Sequence, residues 1–178
     1  VAVSVGSLSP EIFRRTVTVN GFSKPYAMTG WRLGYYAGPR EIVRAGSALQ
    51  SHSTSAPNTF AQYGAIAALR GPQECVHTMV EEFRGRRDIL MQRLNGMRGI
   101  RCHTPAGAFY AFPSVRRTGM DEHEFCERLL FEEKVAVVPG NAFGECGEGH
   151  IRCSYATSID KIEVALERIA RFVKTLRT

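Results

Sequence analysis

The sequence lacks any stretch long and apolar enough to cross a bilayer: its longest apolar runs are a handful of residues, against the roughly 20 a spanning helix needs. It also lacks a basic segment leading into a hydrophobic core at its start, an N-x-Ser/Thr acceptor site, and a methionine at position 1. The first two absences speak against a membrane-anchored or secreted glycoprotein, and the third leads us to expect that Val1 lies inside a longer gene product. The five cysteines (Cys75, Cys102, Cys126, Cys146 and Cys153) include no C-x-x-C pair and have no histidine at ligand spacing. No metal site and no disulfide framework is therefore expected, and a reducing cytoplasmic setting fits.

Lysine is scarce, supplying four of the 23 basic residues, and the formal net charge is +6. A basic balance is one mark of nucleic-acid binders. Here the arginines are dispersed, and their densest cluster, Arg84, Arg86 and Arg87, sits among Glu81, Glu82 and Asp88. That pattern predicts a solvated, ion-paired helix face and no nucleic-acid surface.

What remains is an ordinary globular chain of 178 residues, 44% hydrophobic and 22% charged, with mean hydropathy −0.17. It has room for one good-sized domain or two small ones. Thr16–Asn20 alternates as a strand and breaks at Asn20-Gly21, and Trp31–Ala37 reads as a second strand closed by Gly38-Pro39. Helices are predicted from Glu41 to about Ser51, and from Pro57 through Leu69 to the stop at Gly71-Pro72. A longer helix runs from Gln73 to about Met97, with Val76, Val80, Phe83, Leu90, Leu94 and Met97 at near-helical spacing and Gly99 as its C-terminal stop. At 1.5 Å per residue it is about 38 Å long, a length suited to linking two domains.

Beyond it, Ala108–Phe112 and Val135–Val138 read as strands around a helix opened by Asp121 with Glu124 three residues on. His150–Tyr155 alternates as another strand. Thr157–Asp160 opens a final amphipathic helix through Ile162, Leu166, Ile169, Val173 and Leu176. The fold class is mixed α/β, with no internal repeat and no low-complexity segment.

One segment concentrates chemistry: Asn20-Gly-Phe-Ser-Lys24-Pro-Tyr-Ala-Met-Thr-Gly-Trp-Arg32-Leu-Gly-Tyr35. Lys24 follows a strand and a small-residue turn, where a poorly solvated amine is a usable nucleophile or Schiff-base partner. Arg32, eight residues on, carries a permanently charged planar fork of donors suited to a phosphate dianion, and Ser23 adds a hydroxyl. For an isolated Lys and Arg, a surface lysine and a structural arginine would be the ordinary reading.

The whole stretch resembles the cofactor-lysine segment of fold-type I aminotransferases, S-K-x-x-x-M-T-G-W-R-x-G-Y, of the aspartate and aromatic class I/II type. Nine specified positions in thirteen match: Ser23, Lys24, Met28, Thr29, Gly30, Trp31, Arg32, Gly34 and Tyr35. The resemblance implies that Lys24 holds pyridoxal 5′-phosphate as a Schiff base, and that Arg32 and Ser23 bind its phosphate. Gly21 departs from relatives that place a second phosphate-binding serine there, which shifts weight onto Arg32. A second match, His150-Ile-Arg152-Cys-Ser-Tyr-Ala, is similar to the family's carboxylate-binding segment and implies that Arg152 clamps the substrate α-carboxylate. Thr54–Gln62 resembles the family segment near the dimer interface and active-site rim; Gly107–Phe112 and Val138–Phe143 resemble its small-domain strand and the turn before that arginine. Tyr26 and Tyr63 read as cofactor neighbours or as aromatic packing, and the five histidines match no family role.

From the resemblance follow further expectations. The chain is the C-terminal part of such an enzyme, with 1–72 the remainder of the cofactor-binding large domain and 73–178 the linking helix and small domain. Substrates are an amino acid and a 2-oxo acid; partners are the N-terminal portion of the parent enzyme and a second subunit in a homodimer; the location is cytoplasmic. The acidic partner of the pyridine nitrogen and most large-domain strands fall outside the chain, so strands 16–20 and 31–37 are expected to expose an apolar face, and the chain alone is expected to be inactive. The alternatives are a lyase or synthase of the same fold that uses the same cofactor, and an inert truncated module.

Overall fold

The computed structural model describes residues 3–176. The chain separates into two compact units whose boundary falls between His77 and Thr78. In the first, a 3₁₀ turn at Val5–Ser7 precedes a short helix, α1 (Pro10–Arg14), opened by Ser9, whose hydroxyl accepts the Ile12 N–H at 3.2 Å. Two strands follow, β1 (Thr18–Gly21) and β2 (Gly34–Ala37), paired antiparallel with Thr18 opposite Ala37 and Gly21 opposite Gly34.

Trp31 and Arg32, expected within the second strand, lie outside it. Residues Thr29–Trp31 form a 3₁₀ turn and Arg32 takes a left-handed backbone at φ 52°, so extended pairing begins only at Gly34. Helix α2 (Arg40–Ser53) matches its expected span closely, and its Gly46 accommodates the Tyr36 ring; the Tyr36 hydroxyl donates to Val43 O at 3.3 Å. Helix α3 (Thr59–Arg70) starts two residues later than expected, because Asn58, and not Pro57, opens it. The Asn58 Oδ1 accepts the Phe60 and Ala61 N–H groups at 3.1 and 3.4 Å.

The core of this unit is small: Phe22, Met28, Leu33, Ala61 and Ala65, with Tyr26 and Ala68 against it. The two-stranded sheet leaves much apolar surface open, as expected from its strands. Val19 is 76% exposed, and on α3 Phe60 and Tyr63 are 69% and 71% exposed.

Helix α4 (Glu74–Asn95) is the long helix anticipated from the sequence, 22 residues in length. Its C-terminal half carries the buried positions Leu90, Met91 and Leu94, while Val80 stays 48% exposed. Gly99 does adopt a positive φ of 81°, but it lies beyond the helix end and packs on the Arg117 backbone. The anticipated ion-paired face is present, with Arg84 to Glu81 at 2.5 Å and Arg87 to Asp88 at 2.8 Å.

The second unit contains β3 (Tyr110–Ala111), α5 (Glu122–Glu133), β4 (Val138–Pro139), β5 (Ile151–Ser154) and α6 (Ile159–Thr175). All three strands are shorter than the alternation implied. They form an antiparallel sheet in the order β3-β5-β4. Asp121 opens α5 as expected, its carboxylate accepting the His123 N–H at 2.9 Å. On α6 the anticipated residues Ile162, Leu166, Ile169 and Val173 are buried together with Phe172. They close over Phe125, Leu129, Ile151 and Tyr155 in one contiguous core.

Candidate active site

The first candidate group is built by the β1–β2 hairpin. Below Gly21 and Gly34 the ladder takes one further bond, from Phe22 N–H to Leu33 O at 3.3 Å. The ladder goes no further, because Arg32 takes a left-handed backbone. Ser23, Lys24 and Arg32 thus share the one loop that joins the two strands. The loop is anchored by what it buries, since Phe22, Met28 and Leu33 alternate with the polar residues and point into the small core against α3. The Phe22 carbonyl accepts the Tyr26 N–H at 3.2 Å and the Lys24 carbonyl the Ala27 N–H at 3.3 Å, closing the turn that carries the lysine.

Trp31 fixes the other arm. Its ring lies against Gly64 of α3 and meets Phe60 edge-on at 6.0 Å. Arg32, next in sequence, donates from Nη1 to Thr29 O at 2.9 Å, which holds the guanidinium near the turn. It makes no ion pair with a carboxylate of the described residues. A hollow of about 460 Å³ is lined by Gly30, Trp31, Arg32, Asn58, Phe60 and Ala61. Lys24 itself is exposed, so within this chain it is not enclosed as a poorly solvated amine. An amine, a hydroxyl and an uncompensated guanidinium on one loop are a donor set that fits a phosphorylated carbonyl compound.

The Tyr26 ring lies 5.8 Å from Phe22 and its hydroxyl donates to Gln73 Oε1 at 3.0 Å. Tyr63 projects outward from α3.

The second candidate, Arg152, is a residue of β5 in the second unit. Strand alternation buries Ile151, Cys153 and Tyr155 in the core and turns Arg152 and Ser154 to the other face. There its guanidinium carbon lies 4.5 Å from the centre of the Tyr110 ring and 4.3 Å from that of Phe143. It forms no ion pair among the described residues. Sequence reasoning missed both rings as partners of Arg152. They stand 42 and nine residues away in the chain, and neither lies within the arginine's own motif.

The histidines take supporting positions. His150 stacks on Phe112 at 5.4 Å, and His123 meets the Asn141 amide at 2.7 Å. All five cysteines are unpaired thiols; Cys102, Cys126 and Cys153 are buried, and burial pushes the Cys153 thiol up to about 12. Among the described residues no group of three His, Cys, Asp or Glu side chains is arranged to hold a metal ion, and no helix is long and apolar enough to cross a membrane.

Comparison with known proteins brings the two groups under one heading. The aspartate aminotransferase of Geobacillus stearothermophilus is 48% identical over 97% of this chain, and the aromatic-amino-acid aminotransferase 2 of Thermococcus litoralis is 45% identical over 96%. In both cases the chain spans 44% of the relative's length. Among solved structures, the Rhizobium meliloti aspartate aminotransferase superposes with a TM-score of 0.92 at 41% identity, over 99% of this chain and 46% of that one. The aromatic aminotransferase from Pyrococcus horikoshii gives 0.89 at 47% identity, over 96% of this chain and 46% of that one. The mixed α/β architecture is thus that of part of a fold-type I enzyme. The family profile described as aminotransferase class I and II matches residues 2–169, and the chain belongs to that family.

Proposed function

We propose that this chain is the lysine- and arginine-bearing portion of an aminotransferase that moves an amino group between an amino acid and a 2-oxo acid. The observation that supports the reading is that Ser23, Lys24 and Arg32 lie on the single loop joining β1 and β2, in a chain whose relatives are named aspartate and aromatic aminotransferases.

Pyridoxal 5′-phosphate, when bound, supplies an electron-withdrawing ring that acidifies the Cα–H of an attached amino acid. Lys24 Nζ would hold the cofactor covalently, and as a free amine it would carry the Cα proton. Arg32 and the Ser23 hydroxyl bind the phosphate. Arg32 suits the task because its charge is permanent and its bond to Thr29 O limits its swing. Arg152 binds the α-carboxylate through its planar fork, setting orientation as well as charge.

In this reading residues 1–72 belong to the cofactor-binding large domain and 73–178 to the linking helix and small domain; the break between compact units after His77 supports it. The whole enzyme works in the cytoplasm as a homodimer. Its remaining large-domain strands cover the open face of the β1–β2 hairpin, and they supply the acid that pairs with the cofactor's ring nitrogen. The chain by itself is therefore inactive in turnover.

The test is borohydride trapping. This chain is incubated with pyridoxal phosphate, reduced and digested, and the modified peptide is identified by mass spectrometry beside a Lys24→Ala variant. Labelling of Lys24 that exceeds labelling of Lys134, Lys161 and Lys174 supports the reading. Equal labelling of all four overturns the site. In the whole enzyme, Lys24→Ala should abolish transamination, and near-normal turnover would overturn the function.

A further inference from the structure

We propose that Tyr110 and Phe143 are positioning residues for Arg152, holding its guanidinium between aromatic faces so that its N–H donors stay available to a substrate carboxylate. The inference rests on the reading of Arg152 as the carboxylate-binding residue.

Three observations converge. Arg152 is half-buried on β5, yet no carboxylate of the described residues neutralises it. A charge so placed needs compensation, and the two ring centres at 4.5 and 4.3 Å supply it through their π faces. A carboxylate partner from within the chain would do the same only by occupying the N–H fork, which would leave nothing for a substrate. Aromatic compensation stabilises the cation and keeps its donors unspent.

Both rings are themselves held. Tyr110 sits on β3 with its ring 4.6 Å from Phe109. Phe143 meets Phe112 edge-on at 6.2 Å, and Phe112 stacks on His150. The loop that carries Phe143 is tied at both ends. Gly140 N–H donates to His150 O at 2.8 Å, Gly149 N–H donates to the buried Glu122 carboxylate at 2.9 Å, and Arg116 donates to Glu148 O at 2.7 Å. Gly140 and Gly147 approach so closely that neither tolerates a Cβ. Such fixing confines the guanidinium before substrate arrives, and the entropy of ordering it is not charged to binding.

The experiment compares steady-state kinetics of the whole enzyme with L-aspartate or L-tyrosine, whichever turns over, for Tyr110→Leu, Phe143→Leu, Tyr110→Phe, Phe143→Tyr and Arg152→Lys. Each leucine variant should raise KM about three- to tenfold while kcat stays within about twofold, and each aromatic swap should restore KM. In parallel, the Arg152 guanidinium N–H resonance of this chain should carry a ring-current shift that Phe143→Leu reduces. Phe143 is 50% exposed, so its truncation leaves the core intact. If Arg152→Lys raises KM and the leucine variants do not, the positioning role is overturned and the carboxylate role stands. If Arg152→Lys leaves KM unchanged, the carboxylate role fails and the inference falls with it.

Discussion

Trp31 and Gly64 meet so closely that a Cβ added to the glycine would lie 2.8 Å from Cζ3 of the indole. The pair ties the loop that carries Arg32 to helix α3, and it does so through the only tryptophan of the chain. A helix-interior glycine ordinarily costs stability relative to alanine, so its presence here follows from the ring lying on it.

Gly64→Ala should therefore destabilise the first unit by about 1–3 kcal/mol, as an overpacked contact does, despite alanine's better helix propensity. It should also displace the indole, read directly as a red shift in Trp31 fluorescence. A variant with unchanged emission and raised stability would show that the contact is not tight.

Thiol accessibility should divide two to three. Cys75 and Cys146 are exposed, whereas Cys102, Cys126 and Cys153 are buried. Iodoacetamide under native conditions should modify the first pair alone, and all five should react in denaturant. Rapid native labelling of Cys153 would contradict the packing of β5 against α6.

Alkaline pH should destabilise the second unit. Burial raises the Cys153 thiol from its ordinary 9.0 to about 12; burial first, then the nearby Glu122 and Asp121, raises Cys126 from 9.0 to about 11. Both thiols are neutral in the folded chain above the pH at which they ionise when unfolded. Their stability contribution is thus complete below pH 9 and is lost as pH climbs toward 11 for Cys126 and 12 for Cys153. Each contributes a slope of up to about 1.4 kcal/mol per pH unit in that window. Chemical denaturation from pH 8 upward should reveal the slope, and Cys153→Ala should flatten it.

Glu122 offers a test of the Gly140–Gly149 loop. It is only 5% exposed and its carboxylate accepts the Gly149 N–H. Glu122→Leu should cost about 1–3 kcal/mol by leaving that donor unsatisfied. Glu122→Gln, which retains an acceptor oxygen, should cost less. Thermal melts of the two variants should separate; coincident melts would remove the anchor role.

Much of this fold is legible in short-range pattern. Asp121, the apolar stripe of α6 and the alternation through Ile151, Cys153 and Tyr155 each report a local geometry that the tertiary structure then uses unchanged. The misread places have a common physical origin. Trp31 and Arg32 look like strand residues by composition, but the turn Thr29–Trp31 and the left-handed Arg32 break extension, because Met28 and Leu33 must both reach the core. Pro57 is a plausible helix opener until Asn58 is seen to cap the backbone itself.

The candidate site divides in the same way. Residue type alone leaves Lys24 and Arg32 as an ordinary surface lysine and structural arginine, and it is the resemblance of their segments to the aminotransferase family that marks Ser23, Lys24, Arg32 and Arg152 as candidates. The companions of those residues are a different matter. The rings of Tyr110 and Phe143 reach Arg152 because β3 pairs with β5 and a tied loop folds back beside them, and Gly64 lies under Trp31 because α3 packs on the hairpin. Such neighbours are separated by nine to 42 residues along the chain, and only the tertiary packing brings them together.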